Sequence, residues 1–279
     1  MKLIRRLRTN ALAFIGALAV LGVLLMAMAA PVIAPHDPLE AETSDRFLPP
    51  GNSKYLLGTD FLGRDVLSRI IFGSRISLLI AGLSVGAAIV LGVTSGVIAG
   101  FFGGWVDTVI MRISDVIFAI PTLMTALGVV GLLGRSMNAV VVALAVSYSP
   151  LFARVCRSAV VSIREMGFVE ASRAIGASRA RILAKDIIPN ILPLIMVQAT
   201  TSLSWAILAE ASLGFLGMSV EPPTPSWGTM LTTGREYFYS GPTVPLFAGL
   251  MTLIAVYAFN LLGDGLRDLL DPRAWEQLN

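Results

Sequence analysis

Residues 76–106 read ISLLIAGLSVGAAIVLGVTSGVIAGFFGGWV, and none of these 31 residues is Asp, Glu, Lys, Arg or His. A helix needs about 20 apolar residues to cross the roughly 30 Å hydrocarbon core of a bilayer. A transmembrane β-strand would alternate polar and apolar residues over about ten positions, which this stretch does not do. Because a helix satisfies its own backbone polar groups in lipid, the stretch predicts a membrane-spanning helix.

Five further stretches lack charge and hold at least 18 residues each. They are residues 11–33, 116–134, 136–153, 191–209 and 245–263. Hydrophobic residues make up 55% of the chain and charged residues 14%, whereas a soluble domain carries about 25% charged residues. The expected fold is therefore an all-α integral membrane protein with six transmembrane helices, embedded in the lipid bilayer.

Composition also excludes several classes of site and partner. The net charge of +3 gives no reason to expect a nucleic-acid partner. A single cysteine, Cys156, and a single histidine, His36, exclude an intrachain disulfide and a multi-histidine metal site. The basic start before residue 11 resembles a signal peptide, but 23 apolar residues exceed the 7–15 of a signal core, so a retained helix is expected.

The positions of lysine and arginine predict the orientation. With a cytoplasmic amino terminus, the inner segments hold 14 of these residues and the outer segments hold 7. Cytoplasmic loops carry an excess of Lys and Arg, so both termini are expected inside. The boundaries are then a cytoplasmic start at 1–10, a first span at 11–33, an extracytoplasmic segment at 34–75, a five-helix core at 76–263 and a cytoplasmic tail at 264–279.

Two outer segments, 34–75 and 210–244, are long and rich in proline turns. Apolar residues between Val66 and Ile71 fall on one side of a helical pattern, which predicts a separate helix over residues 63–75 lying in the outer interface. His36, between prolines, is expected to serve in a turn rather than as a ligand. Trp105, Trp227 and Trp275 are expected at membrane interfaces.

The inner loop, residues 154–190, is the largest cytoplasmic segment. Residues 164–175 predict a helix, Gly176 stands where a helix-ending glycine would, and Ser178 is a suitable N-cap for a second helix over 179–188. Pro189 then predicts a kink or break before the fifth span. The small residues around Ala171 and Ala174 would let another backbone approach closely.

The run Glu170-Ala171-Ser172-Arg173-Ala174-Ile175-Gly176, with Ile188-Pro189-Asn190 twelve residues on, resembles the "EAA" loop of ABC importer permeases. That signature is Glu-Ala-Ala, three residues, Gly, nine residues and Ile-x-Leu-Pro. Ser172 replaces its second alanine and Asp186 its isoleucine. The runs LGTDFLGRDVLSR at 57–69, SLGFLG at 212–217 and NLLGDGLRD at 260–268 are similar to the "C" type permease of the dipeptide, oligopeptide and nickel family.

This resemblance implies a type I ABC importer permease fold in a bacterial inner membrane. It implies four partners: a homologous "B" type permease forming a heterodimer, two cytoplasmic ABC ATPases and an extracytoplasmic solute-binding protein. ATP and magnesium would be used by the ATPases, and no cofactor is expected on this chain. The resemblance makes the inner loop the ATPase-coupling element, on Phe168, Glu170, Ala171, Ser172, Ala174, Gly176, Ala177, Ser178 and Pro189.

Other functions fit the residues less well. The chain has no Gly-x-x-x-x-Gly-Lys-Ser/Thr loop to hold a phosphate, so it is not expected to be an enzyme that hydrolyses ATP. A secondary transporter would place ionisable residues within its spans, and the sequence puts Glu210 and Asp107 only at span boundaries. Dipeptides or oligopeptides are the expected substrates, with nickel or glutathione as alternatives within the family.

Polar and small residues in the spans suggest two further sets. A polar path through the membrane is expected at Gln198, Thr201, Ser202 and Trp205, since a peptide backbone cannot cross bare hydrocarbon. Gly92, Gly96 and Gly100 repeat every four residues and predict a close helix contact, within this chain or against a partner permease.

The orientation yields a direct test. In intact spheroplasts, tags at both termini should resist external protease, and Asn52→Cys and Thr224→Cys should react with a membrane-impermeant thiol reagent. Ser178→Cys should react only after permeabilisation, and its labelling from outside would invert the predicted topology.

Overall fold

The computed structural model describes residues 11–270, and regular structure within that range is helical apart from an isolated bridge between Thr59 and Asp65. The predicted cytoplasmic start and Trp275 lie outside the described residues. A 3₁₀ turn at Thr43–Asp45 and a π-helical turn at Leu183–Ile187 complement the α-helices. The α-helices are α1 (Ala11–Ile33), α2 (Val66–Phe102), α3 (Gly104–Ala119), α4 (Thr122–Leu133), α5 (Met137–Ile163), α6 (Gly167–Ala174), α7 (Arg179–Ile182), α8 (Ile188–Phe215), α9 (Trp227–Glu236) and α10 (Thr243–Leu270).

The helices support the predicted membrane fold, with one correction. Five of them are long and apolar enough to span a bilayer, and α3 with α4 forms a sixth candidate bent by 91°. The third span predicted over 116–134 is not one continuous helix, because it is interrupted between α3 and α4. Ile120 adopts an extended conformation because Pro121 follows it, and Pro121 cannot donate a helical hydrogen bond.

The predicted interfacial helix over 63–75 is also wrong. Helix α2 begins at Val66, where the Asp65 carboxylate accepts a hydrogen bond from the Ser68 amide at 2.9 Å, and continues without a break to Phe102. Val66 and Ile70 are buried against Met230 of α9 and against α10. The apolar face that suggested contact with headgroups therefore packs against protein.

The glycines of α2 lie at its contact with α5. A Cβ atom at Gly92 would lie 2.4 Å from the Ser149 carbonyl oxygen, and one at Gly96 would lie 2.3 Å from the Ala153 carbonyl oxygen. At Gly100 the Arg157 oxygen would be 2.9 Å away. The close helix contact thus falls within this chain, and we call these three glycines with the facing α5 backbone the glycine contact.

Helix α1 packs along α10 by a similar device. A Cβ at Gly16 would lie 2.5 Å from the Leu262 backbone nitrogen, and one at Gly265 would lie 2.2 Å from the Ala13 side chain. Small residues therefore allow the two helices to approach within backbone contact, as is typical of helix packing in membranes. The other face of α1 is exposed and apolar, as Met28 and Val32 illustrate.

The glycine contact can be tested with a matched pair of substitutions. Gly96→Leu should lower the melting temperature of the detergent-purified chain markedly, because overpacking costs about 1–3 kcal/mol and backbone atoms cannot move aside easily. Gly86→Leu lies on the same helix with nothing within 4 Å and should leave the melting temperature unchanged. Equal melting of the two variants would contradict the assignment.

Candidate functional site

The inner loop stands on a buried apolar base. Helix α6 covers Gly167–Ala174, shorter than the helix predicted over 164–175. Val169 is fully buried, and with Ile182 and Ile187 it joins an apolar cluster that includes Val160 of α5. Val169 is not among the predicted coupling residues, because nothing local in the sequence shows which face of this helix packs against α5. These contacts fix the loop to the end of α5 and the start of α8.

The opposite face of the loop is exposed and apolar. Phe168 is 45% exposed and Ile175 is 80% exposed, and Ala171 and Ala174 are exposed between them. Water-exposed apolar groups grouped on one short helix mark an interaction surface. We call Phe168, Ala171, Ala174 and Ile175 the exposed loop face. The structure thus brings together several of the predicted coupling residues on one side of the loop.

Backbone geometry at the turn agrees with the prediction. Gly176 has φ of +79°, its amide donates to the Arg173 carbonyl at 3.0 Å, and the Ala177 amide donates to the Ser172 carbonyl at 3.0 Å. The Ser178 hydroxyl accepts from the Arg181 amide at 3.3 Å and so caps α7. The helix–glycine–helix arrangement is therefore confirmed, and Gly176 is needed for its positive φ, which side chains resist.

Two further local features concern Pro189 and Glu170. Of the kink or break predicted at Pro189, the break is absent, because the π-helical turn at Leu183–Ile187 leads directly into α8. A π turn changes the hydrogen-bond register, which accommodates a residue that has no amide hydrogen to donate. Glu170 is exposed, and within the described residues it forms no salt bridge with Arg173.

Three arginines attach the inner end of α5 to its neighbours. Arg154 donates to the Asp115 carboxylate at 2.8 Å, and Arg157 donates to both carboxylate oxygens of Asp107. Arg164 donates to the Gly100 carbonyl at 2.8 Å, at the end of the glycine contact. These bonds join α5 to α2 and α3 in the part of the inner loop that precedes α6.

The polar residues predicted along the path occupy different environments. Ser202 is fully buried, and its hydroxyl accepts a hydrogen bond from the side-chain amide nitrogen of Gln198 at 3.3 Å. Thr201 donates to the Val197 carbonyl of its own helix and packs close to Gly263 of α10. Trp205 alone of the four is exposed, at 58%. Of the four predicted path residues, Trp205 is therefore the one whose side chain lies on the surface of the single chain.

Sequence reasoning missed the role of Glu210. It was placed at a span boundary, yet it lies within α8 and is fully buried. Ser77 of α2 donates to one carboxylate oxygen at 2.9 Å, and Ser219 and Ser226 donate to the other at 2.9 and 3.0 Å. These hydrogen bonds join two spans to the segment that precedes α9.

Helix α9 is held tightly over this carboxylate. Trp227, predicted at a membrane interface, is instead fully buried, and its indole nitrogen donates to the Ile70 carbonyl at 3.1 Å. Its amide donates to the Ser77 hydroxyl at 3.1 Å. A Cβ at Gly214 would lie 2.3 Å from the Gly228 Cα, so α8 and α9 cross in backbone contact. No sequence signal placed α9 against α2.

Residue His36 serves in a turn, as predicted. Its backbone amide donates to the Ser68 hydroxyl at 3.0 Å, its Nδ1 lies 3.5 Å from the Asp65 carboxylate, and its ring packs against Tyr55. Among residues 11–270, no three His, Cys, Asp or Glu side chains are grouped so that they could hold a metal ion.

Most of the chain matches known families. Residues 92–276 match the family described as binding-protein-dependent transport system inner membrane component. Residues 2–50 match the N-terminal TM domain of oligopeptide transport permease C.

Curated relatives cover nearly the whole chain. The dipeptide transport system permease protein DppC of Alkalihalophilus pseudofirmus is 39% identical, over 96% of this chain and 88% of the relative. The di/tripeptide transport system permease protein DppC of Pseudomonas aeruginosa is 43% identical, over 92% and 87%. The glutathione transport system permease protein GsiD of Pectobacterium atrosepticum is 39% identical, over 96% and 89%.

Solved structures share the fold. A chain of the inward-facing MetNI methionine ABC transporter aligns with a TM-score of 0.59 at 24% identity, covering 73% of this chain and 97% of that one. A chain of an amino acid ABC transporter crystallised with histidines aligns with a TM-score of 0.57 at 18% identity, covering 72% and 94%.

Substitution of Glu210 tests its three hydrogen bonds. Glu210→Ala should speed proteolysis within residues 216–226 and lower the melting temperature, because each buried hydroxyl left unsatisfied costs about 1–3 kcal/mol. Glu210→Gln should fall between wild type and alanine, since its amide can still pair with the hydroxyls.

Glu236→Ala provides the control, as Glu236 is exposed at the end of α9. Equal cleavage rates in Glu210→Ala and Glu236→Ala would show that the carboxylate does not hold the segment.

Proposed function

Because this chain belongs to the family of binding-protein-dependent transport system inner membrane components, and is a multi-pass ABC importer permease, we propose that it carries di- or oligopeptides. Relatives at about 40% identity, matched over most of their length, are named as dipeptide and di/tripeptide permeases. A relative named for glutathione is similar to the same degree, and glutathione is itself a peptide. Glutathione is therefore the second candidate substrate.

The observation that carries the coupling role is the exposed loop face on its buried base. We infer that a cytoplasmic ATPase binds Phe168 and Ile175, and that two such ATPases serve the assembled importer and use ATP and magnesium. Ile175 is 80% exposed on an ordered turn, which leaves apolar area for a partner to cover. Phosphate binding is assigned to the partners, since this sequence lacks a phosphate-binding loop.

Force would pass from the ATPase through the loop into the spans. Val169 and Ile182 fix the loop to the apolar cluster, and Arg157 joins α5 to Asp107 of α3. Closely packed elements move as units rather than deforming continuously, so a displacement of the loop is transmitted to α5 and α8. Glu170 would act on the partner directly, because it is exposed and forms no salt bridge with Arg173.

The membrane path would form between this chain and a homologous permease. The outward side of α8 and α10 exposes Trp205, Leu208, Leu253 and Tyr257. These exposed apolar side chains would contact the second permease. The polar residues Gln198 and Thr201, which also lie on α8, would contact the solute. The two predicted outer segments, which the helix bounds shorten to residues 34–65 and 216–242, would contact an extracytoplasmic solute-binding protein.

Uptake assays test this function. Proteoliposomes that contain the chain with its genomically neighbouring permease, ATPases and binding protein should accumulate labelled dipeptides only when ATP is supplied to the ATPase side. Accumulation of glutathione in place of dipeptides would select the second candidate. ATP-independent uptake, or none of either solute, would reject the proposal.

The coupling loop gives a residue-level prediction. Gly176→Val should reduce uptake at least tenfold at normal membrane insertion, because a left-handed residue with a side chain costs about 1–2 kcal/mol, and a β-branched one more, and would reshape the turn. Gly176→Asn should retain most uptake, since asparagine tolerates this conformation.

Gly167, at the start of the preceding helix α6, supplies the control. Gly167 has open space around its Cβ position and no positive φ, so Gly167→Ala should transport normally. Normal uptake by Gly176→Val, together with normal ATPase recruitment, would exclude the loop as the coupling element.

A further inference from the structure

A cavity of about 1020 Å³ opens between α1, the start of α2 and the turn at residues 34–39. Its deeper walls are apolar and include Leu24 and Met28 of α1 and Leu79 of α2. Its outer rim is polar and includes Asp37 and Arg75. We call this space the outer cavity.

The cavity exists because α1 and α2 touch only along part of their length. Val20 and Val23 of α1 share a buried cluster with Ala81 and Val85 of α2. One turn beyond this cluster, toward the outer end of the helices, side chains no longer fill the space between α1 and α2. From there the cavity wall extends from Leu79 to the polar rim. The turn through His36, attached to Ser68, bounds the cavity from outside.

Charge at the rim is available for a ligand. Arg75 is exposed, and none of the salt bridges within residues 11–270 involves its guanidinium, which lies 6.0 Å from the centre of the Phe72 ring. Asp37 is also exposed, and within the described part of the chain its carboxylate accepts only a hydrogen bond from the Leu39 amide. One cation and one anion thus border a cleft with apolar walls.

The depth of the apolar wall corresponds to one leaflet. From Leu24 to Ala34, α1 and the residue after it rise about 15 Å, at 1.5 Å per residue. The hydrocarbon core is about 30 Å thick, so this wall covers about half of it. Charged groups at one end and apolar groups over one leaflet are the arrangement of a phospholipid.

We propose that the outer cavity binds one aminophospholipid. Its phosphate pairs with Arg75, its primary ammonium pairs with Asp37, and an acyl chain lies between α1 and α2 against Met28 and Leu79. Arginine pairs with phosphate through charge-assisted and often bidentate hydrogen bonds, so Arg75 can hold a lipid phosphate. The lipid would complete the α1–α2 contact where side chains do not.

Native mass spectrometry of the purified, assembled importer tests the site. The probe is palmitoyl-oleoyl phosphatidylethanolamine, titrated against the phosphatidylcholine of the same chains. Arg75→Glu and Leu79→Trp should each lower retained phosphatidylethanolamine at least fivefold, by removing the phosphate partner and by filling the cavity. Arg135→Glu, an exposed arginine outside the cavity, should retain the wild-type amount.

Headgroup selectivity gives an independent outcome. Wild type should prefer phosphatidylethanolamine to phosphatidylcholine at least threefold, because a quaternary ammonium cannot donate a hydrogen bond to Asp37, and Asp37→Asn should abolish that preference. Equal retention in all variants would overturn the proposal. So would an efficient cross-link from Met28→Cys to a second protein chain of the assembly, which would identify a subunit as the occupant.

Discussion

The glycine contact between α2 and α5 is the constraint on which the other helix positions depend. Gly92 and Gly96 place the α2 backbone against carbonyl oxygens of α5 at distances that exclude any Cβ. In lipid no hydrophobic force drives helices together, so close packing of backbone atoms must supply much of their attraction. Because this contact fixes α5 against α2, it also fixes where α5 ends relative to α2. There Arg164 donates a hydrogen bond to the Gly100 carbonyl of α2.

The position of α5 relative to α2 affects two regions that the proposed mechanism uses, the inner loop and the contact around Glu210. At the inner end, the apolar base around Val169 supports the exposed loop face, so a force applied by an ATPase would reach α5 and α8 together. At the other end, Glu210 joins Ser77 of α2 to Ser226 at the start of α9. Helix α8 belongs to both regions, since it starts at the inner loop and carries Glu210 near its other end.

Glu210 also shows how an ionisable side chain can be accommodated within a membrane-spanning helix. An ionisable side chain within a span is usually interpreted as a site for an ion or proton. Here both carboxylate oxygens accept bonds from serine hydroxyls, so the residue is satisfied without a bound ion. The same need to satisfy polar groups explains the hydroxyls of Thr200 and Ser212, which donate to carbonyls of their own helix.

The sequence by itself determined the membrane class, most span positions, the helix–Gly176–helix turn and the Ser178 cap, because each depends on residues close together in the chain. It did not determine the bend before Pro121, since a proline within an apolar run permits either a kink or a break. Nor did it reveal that Glu210 and Trp227 are buried with Ser77, or that the glycine contact lies within the chain. Those facts depend on residues that lie 57 to 157 positions apart in the chain, such as Gly96 with Ala153 and Trp227 with Ile70, and only tertiary packing brings such pairs together.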